Sequence, residues 1–182
     1  MYSSYNIYFN FLKKIKNFNI KFAGLKNGKH VFNFEVEETF FDYFTVESEE
    51  VDFPEVLGKV EVLLDKMSTM LTVDVVLNLT WNTWCDLCGE DLSLDVHSTN
   101  RFFVKFGTED SLNEDILVLP HNEFEFNISP FIYEFIITSL PSKKKHKDGE
   151  CNPETIEKLN DLKPNSSNKE NNPLWDQLKN LS

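Results

Sequence analysis

The stretch LTVDVVLNLTWNTWCDLCGEDLSLDV, Leu71–Val96, decides how this chain folds. Leu71, Val73, Val75, Leu77, Leu79 and Trp81 recur at every second position, against Thr72, Asp74, Asn78 and Thr80 between them. A period of two is that of a strand with one face buried, since successive side chains point to opposite sides of a sheet. Val76 is the only large apolar residue on the outward face. After Cys85-Asp-Leu-Cys88-Gly the alternation resumes as Leu92, Leu94 and Val96 against Ser93, Asp95 and His97, and it reaches Phe102, Val104 and Phe106 in the same parity. The cysteine turn is therefore expected at the tip of a hairpin between two long strands.

Working outward, Ile20–Leu25 and His30–Val36 flank Lys26-Asn27-Gly28-Lys29. Asn-Gly adopts the left-handed angles of a two-residue turn cheaply, so these runs predict another hairpin. Residues 40–52 are aromatic and then acidic, as in a loop or short helix, and Val60, Val62 and Leu64 predict a strand. Ile116–Leu119 predicts a further short strand. Ser129-Pro130 then opens a helix, Ser129 as N-cap and Pro130 at the first helical position, with Phe131, Ile132, Phe135, Ile136 and Leu140 as its apolar face and Pro141 as its stop. Asn152-Pro153 opens a second helix to about Leu162. Residues 164–172 have linker composition, and the tail from Pro173 patterns as a short amphipathic helix with Leu174, Trp175, Leu178 and Leu181 on its sticky side. The expected class is α+β: an antiparallel sheet, curling towards a partial barrel, with two to three C-terminal helices. The expected organisation is a flexible leader over 1–18, one domain over 19–163, and linker plus tail helix over 164–182.

Composition narrows the function. The 182 residues carry 18 basic and 30 acidic groups, a formal net charge of −12, which excludes a surface coated in phosphate-seeking charge and leaves only local contact with nucleic acid. Three cysteines, two of them adjacent in a C-x-x-C, do not make a secreted disulfide framework. The first 16 residues put their lysines after the apolar part and lack a small-residue cleavage site, and no apolar run approaches the ~20 residues of a membrane span. The cytoplasm is the expected compartment, and the sequons at Asn78, Asn127 and Asn165 are chance matches. A Gly-rich phosphate loop, a serine nucleophile elbow and an HExxH are all lacking, so no set of residues points to catalysis.

Two thiolates two residues apart converge on one ion, and the following glycine frees the turn for amide-to-sulfur hydrogen bonds. A tetrahedral zinc site needs two further ligands, and His146 and Cys151 are the available pair. Thiols left as small residues are the plain alternative. Redox chemistry is disfavoured because strands, not a strand and a helix, flank the pair. Lys143, Lys144, Lys145 and Lys147 form the concentrated positive run, either a contact for RNA phosphates or a solvated loop. Trp81 and Trp84 beside the turn suit base stacking or, more plainly, the core. His97 reads as a surface residue, and His30 and His121 have no partner that spacing reveals.

In order and combination, several segments resemble the YceD-type proteins of large-ribosomal-RNA-subunit accumulation. They are GLKNGKHVFNF from Gly24, WCDLCGE from Trp84, DILVLP from Asp115, ISPFIYEFIITSLP from Ile128, HKDGECNP from His146 and NPLWDQL from Asn172. The resemblance implies a bacterial or organellar factor, not an enzyme, needed for normal levels of large-subunit (23S) rRNA. It would act on that rRNA or a pre-ribosomal particle, or, alternatively, as an adaptor whose tail helix docks on a ribosomal protein or processing enzyme. Many relatives carry further cysteines after the Leu-Pro that ends the helix, and these with the first pair look like a four-thiolate zinc site. This chain departs from them in keeping Cys151 alone, with His146 nearby, which implies a structural Cys3His site.

Overall fold

The computed structural model describes residues 16–44, 55–107 and 116–163. Five strands form one sheet in the order β2 (Gly28–Val36), β3 (Glu55–Lys66), β4 (Met70–Trp84), β5 (Asp91–Phe106) and β6 (Ile116–Leu119). β2 to β5 run antiparallel, and β6 lies parallel to β5 at the edge, Phe103 opposite Ile116. A second, two-stranded sheet pairs β1 (Asn19–Lys21) with β7 (Glu125–Asn127). Two helices follow, α1 (Ser129–Ser139) and α2 (Pro153–Asp161). The class is α+β, and the five-stranded sheet is open rather than closed into a barrel.

The long alternation is realised as expected. Leu71, Val73, Val75, Leu77 and Leu79 of β4 are buried, as are Val56, Val60, Val62 and Leu64 of β3 and Val96, Phe102 and Val104 of β5. Removing such a side chain from water contributes about 1.5–3 kcal/mol each, which is why the register of these strands is fixed by one face. α1 covers that face. Ile132 and Ile136 are fully buried, and the Phe131 ring stacks on Phe102 at 4.0 Å between centroids.

The predicted hairpin around Asn27-Gly28 does not form. β1 pairs with β7, about a hundred residues away, and β2 pairs with β3. The chain bends at 22–25 instead: Leu25 N–H donates to Phe22 O at 3.1 Å, and Lys66 Nζ donates to the carbonyls of Phe22 (2.8 Å), Leu25 (2.9 Å) and Ala23 (3.3 Å). Asn127 Nδ2 donates to Asn19 Oδ1 at 2.6 Å, tying β1 to its distant partner. Lys16–Phe18 form a 3-10 turn in which Phe18 is buried, its ring stacked on Phe34. The aromatic segment Glu38–Phe44 is likewise 3-10 helical and buries Phe40 and Phe41.

α1 begins one residue earlier than expected. Ser129 is its first residue and Ile128, which has no capping side chain, stands at the N-cap; Oδ1 of Asn127 accepts from Ser129 N–H at 2.9 Å. α2 opens after Asn152 as predicted, and Asn152 Oδ1 caps it by accepting from the N–H of Glu154 (3.0 Å) and Thr155 (3.2 Å). Among the described residues, no helix is long and apolar enough to cross a membrane.

Candidate metal centre and lysine loop

β4 and β5 run past the edge of the main core and end in the cysteine turn. Trp84 pairs with Asp91 as the last rung of the ladder. Cys85 N–H donates to Glu90 O at 2.8 Å and Gly89 N–H to Cys85 O at 2.9 Å, closing a knuckle in which Gly89 takes φ +74°. That left-handed angle is why the fifth position is glycine. Cys85 is buried and Cys88 half-buried.

Leu140 ends α1 in an extended conformation, and the chain then passes alongside this tip. Two hydrogen bonds dock it, one between backbones and one to a side chain: Asp86 N–H donates to Lys144 O at 2.6 Å, and Lys144 N–H donates to Asp86 Oδ2 at 2.8 Å. Lys144 Nζ lies 3.5 Å from Asp86 Oδ1 and 5.7 Å from the centroid of the half-buried Trp81 ring. Two residues on, His146 Nε2–H donates to Asp91 O at 3.0 Å, which directs Nδ1 at the thiols. Asn152 Nδ2 reaches Glu90 Oε1 at 2.6 Å, so the residue after Cys151 is fastened to the knuckle as well.

These contacts bring together the four residues singled out from sequence. One ligand atom from each of Cys85, Cys88, His146 and Cys151 lies within 4.8 Å of all the others. Cys88 Sγ is 3.4 Å from His146 Nδ1, Cys151 Sγ is 3.9 Å from the same nitrogen, and Cys85 and Cys151 Sγ are 3.9 Å apart. A tetrahedral ion with bonds of ~2.3 Å to sulfur and ~2.0 Å to nitrogen sets ligand separations of about 3.5–3.8 Å, so the cluster is close to the spacing of a Cys3His zinc site. The donor set is soft, which suits zinc and not magnesium or calcium.

Burial alone raises the Cys85 thiol, but the backbone N–H groups of Cys88, His146 and Leu87 outweigh it and bring Cys85 down to about 6. Burial pushes Cys151 up to about 11, helped by its hydrogen bonds to Cys85 and Cys88 and by their charge. His146 is raised, chiefly through its hydrogen bond to Cys85, while burial works against it.

The lysines of the expected RNA contact separate by geometry. Lys144 is taken up by Asp86 and Trp81. Lys145 Nζ meets Asp148 at 3.3 Å on the surface, while Lys143 and Lys147 are exposed and have no ion-pair partner among the described residues. Trp84 is 63% exposed and Leu87 47%. The remaining histidines stay apart from the cluster: His30 meets Lys26 O, His97 meets Asn78 Oδ1, and His121 lies beside Phe106. Sequence reading missed Asp86, Glu90, Asn152 and the Asp91 carbonyl, the groups that fasten the loop to the tip. Tail residues Leu174, Trp175, Leu178 and Leu181 lie outside the described residues.

Fold and site together define a class: a β-sheet scaffold whose longest hairpin carries a thiol–imidazole cluster that gathers a distant lysine-bearing loop. Residues 73–182, three fifths of the chain, match the family model described as "Large ribosomal RNA subunit accumulation protein YceD", and the chain belongs to that family. The match starts inside β4 and takes in the rest of the cysteine hairpin, α1, the lysine loop and α2. The Gly24–Phe34 segment of the resemblance lies ahead of it. The family is one of large-subunit rRNA accumulation and not a known enzyme family. No curated protein and no solved structure matches the chain.

Proposed function

We propose that the protein supports accumulation of large-subunit rRNA without catalysis of its own, in the cytoplasm, by binding that rRNA or a pre-ribosomal particle containing it at the hairpin tip. A structural zinc ion held by Cys85, Cys88, His146 and Cys151 fixes the loop that makes the contact. The carrying observation is the joining of two remote segments: the Cys85–Cys88 knuckle and the 144–152 loop share four ligand atoms and several hydrogen bonds, while Lys143 and Lys147 are exposed and have no ion-pair partner among the described residues. Zinc supplies cross-linking free energy at this point and nothing reactive, since four protein ligands leave no open position for water. With a net charge of −12 the rest of the surface repels phosphate, so contact is confined to this loop.

Metal analysis of the purified full-length protein tests the first half: one zinc per chain is expected, lost in Cys85→Ser together with a fall in melting temperature. Binding of large-subunit rRNA across a salt series tests the second. The K143E/K147E double variant should bind more weakly at every salt concentration and reduce the slope of log K against log salt by about 2. Unchanged affinity and slope would rule the loop out as the contact.

A further inference from the structure

Trp84 is out of place for a core residue. It closes the β4–β5 ladder opposite Asp91, it is the most exposed aromatic among the described residues, and Leu87 in the adjoining turn is exposed beside it. Its position is nonetheless rigid, since the backbone on one side is paired into the ladder and on the other is closed into the knuckle by Cys85 N–H and Gly89 N–H. Trp81, three residues earlier, points to the other face of the hairpin, where Lys144 covers it. The tip thus offers an exposed indole on one side and, on the loop side, Lys143 and Lys147, exposed and without an ion-pair partner among the described residues.

We propose that Trp84 is a stacking platform for an unpaired base, and that the RNA bound at this tip is single-stranded: a loop, a bulge or an end. This rests on the reading of the lysine loop as an RNA contact and specifies its ligand. The argument is geometric and electrostatic. A duplex keeps its bases stacked inside and presents a dense wall of phosphates, which the acidic groups around the tip that no lysine neutralises among the described residues (Glu90, Asp91 and Glu150) repel. A single strand turns a base to one side and its phosphates to the other, matching a ring and two cations on different sides of one narrow projection. Lys144 and Asp86, paired with each other, hold the projection together and are not part of the contact.

The test uses the zinc-loaded full-length protein, a labelled single-stranded oligoribonucleotide of about ten nucleotides and a duplex of the same length. Wild type should bind the single strand more tightly than the duplex. W84A should weaken single-strand binding by roughly five- to a hundredfold, W84F should retain most of it, and neither should change the salt slope, because a stacked ring neutralises no phosphate. Equal zinc content and melting temperature in W84A show that its fold is intact. If K143E/K147E weakens binding while W84A does not, the stacking platform is refuted and the lysine contact stands. If neither variant matters, both fail. Tighter binding of the duplex, or a W84A defect confined to binding a ribosomal protein with RNA affinity untouched, also overturns the proposal.

Discussion

His146 shows how one side chain is prepared for its place. Its Nε2–H is committed to the Asp91 carbonyl, so the lone pair of Nδ1 faces Cys88 and Cys151. Replacing it by cysteine keeps a fourth soft ligand, whereas alanine leaves three. H146C should therefore retain one zinc per chain in competition with a chromophoric chelator, and H146A should lose it. The proton balance gives a second expectation. Near pH 7 Cys85, at about 6, is already a thiolate, while Cys151, at about 11, and part of the raised His146 population carry protons that a metal must displace. Since binding releases protons, acid opposes it: apparent zinc affinity should rise with pH between 6 and 8, by about tenfold or more per unit, in competition titrations at several pH values. A flat profile would mean that the thiol of Cys151 is not a ligand. The four cluster residues were legible in the sequence because cysteine and histidine announce their chemistry by type. Asp86 and the Asp91 carbonyl were not, since a backbone acceptor has no sequence signature and one aspartate among many acidic residues looks like solubilising surface.

At the scale of elements, the two longest strands were the easiest to foresee. Sustained alternation with β-branched and leucine side chains admits one register, and Leu71↔Val104 and Leu79↔Val96 are among the pairings that put the alternating apolar set inside. The short elements escaped for the opposite reason. A three-residue strand such as β1 has too little pattern to name its partner, and the Asn27-Gly28 signal is purely local, whereas Lys66 holding three carbonyls of the 22–25 bend is a tertiary fact. The direction of β6 was equally hidden, since four apolar residues read alike parallel or antiparallel. Gly58 is a feature no pattern flagged. It sits inside β3 at φ +148°, and a Cβ there would collide with the carbonyl oxygen of Asn78 on β4. G58A should lower the melting temperature and leave metal stoichiometry intact, separating damage to the sheet from damage to the tip. At α2, Asn152 both caps the helix and reaches Glu90. N152A should cost about 1 kcal/mol from the cap alone and speed amide exchange in 153–161. Unaltered exchange there would mean that the cap does not hold the helix.

For the whole molecule, the main apolar cluster spans β2 to β5, β1, β7 and α1, and neither Cys85 nor Leu92 belongs to it. Scaffold and tip are therefore separately stabilised. Stripping zinc with a chelator should lower the melting temperature, the stability lost growing with the original metal excess and reaching about 2.7 kcal/mol at a hundredfold excess over Kd. In hydrogen exchange, protection should be lost around 85–91 and 142–163 while β3, β4 and β5 beyond the tip stay slow. Uniform loss across the sheet would contradict this division. Deleting residues 164–182 should leave zinc content and RNA affinity unchanged. If RNA affinity survives but association with ribosomal proteins is lost, the tail serves as the adaptor that its Leu174, Trp175, Leu178 and Leu181 pattern suggests.

The spacing of the ligands also sets a timetable for synthesis. Cys88 and His146 are 58 residues apart, and Cys85 and Cys151 are 66 apart. At about 5–20 residues per second, a ribosome that has made the knuckle needs roughly 3–12 s more before the remaining ligands exist. For that interval two thiols stand on a growing chain with only half a coordination shell, and once Phe106 is made β4 and β5 have every residue needed to pair. Metal capture is thus a late event laid over a sheet already able to form, and the nascent hairpin waits with its tip open to oxidants and competing metals.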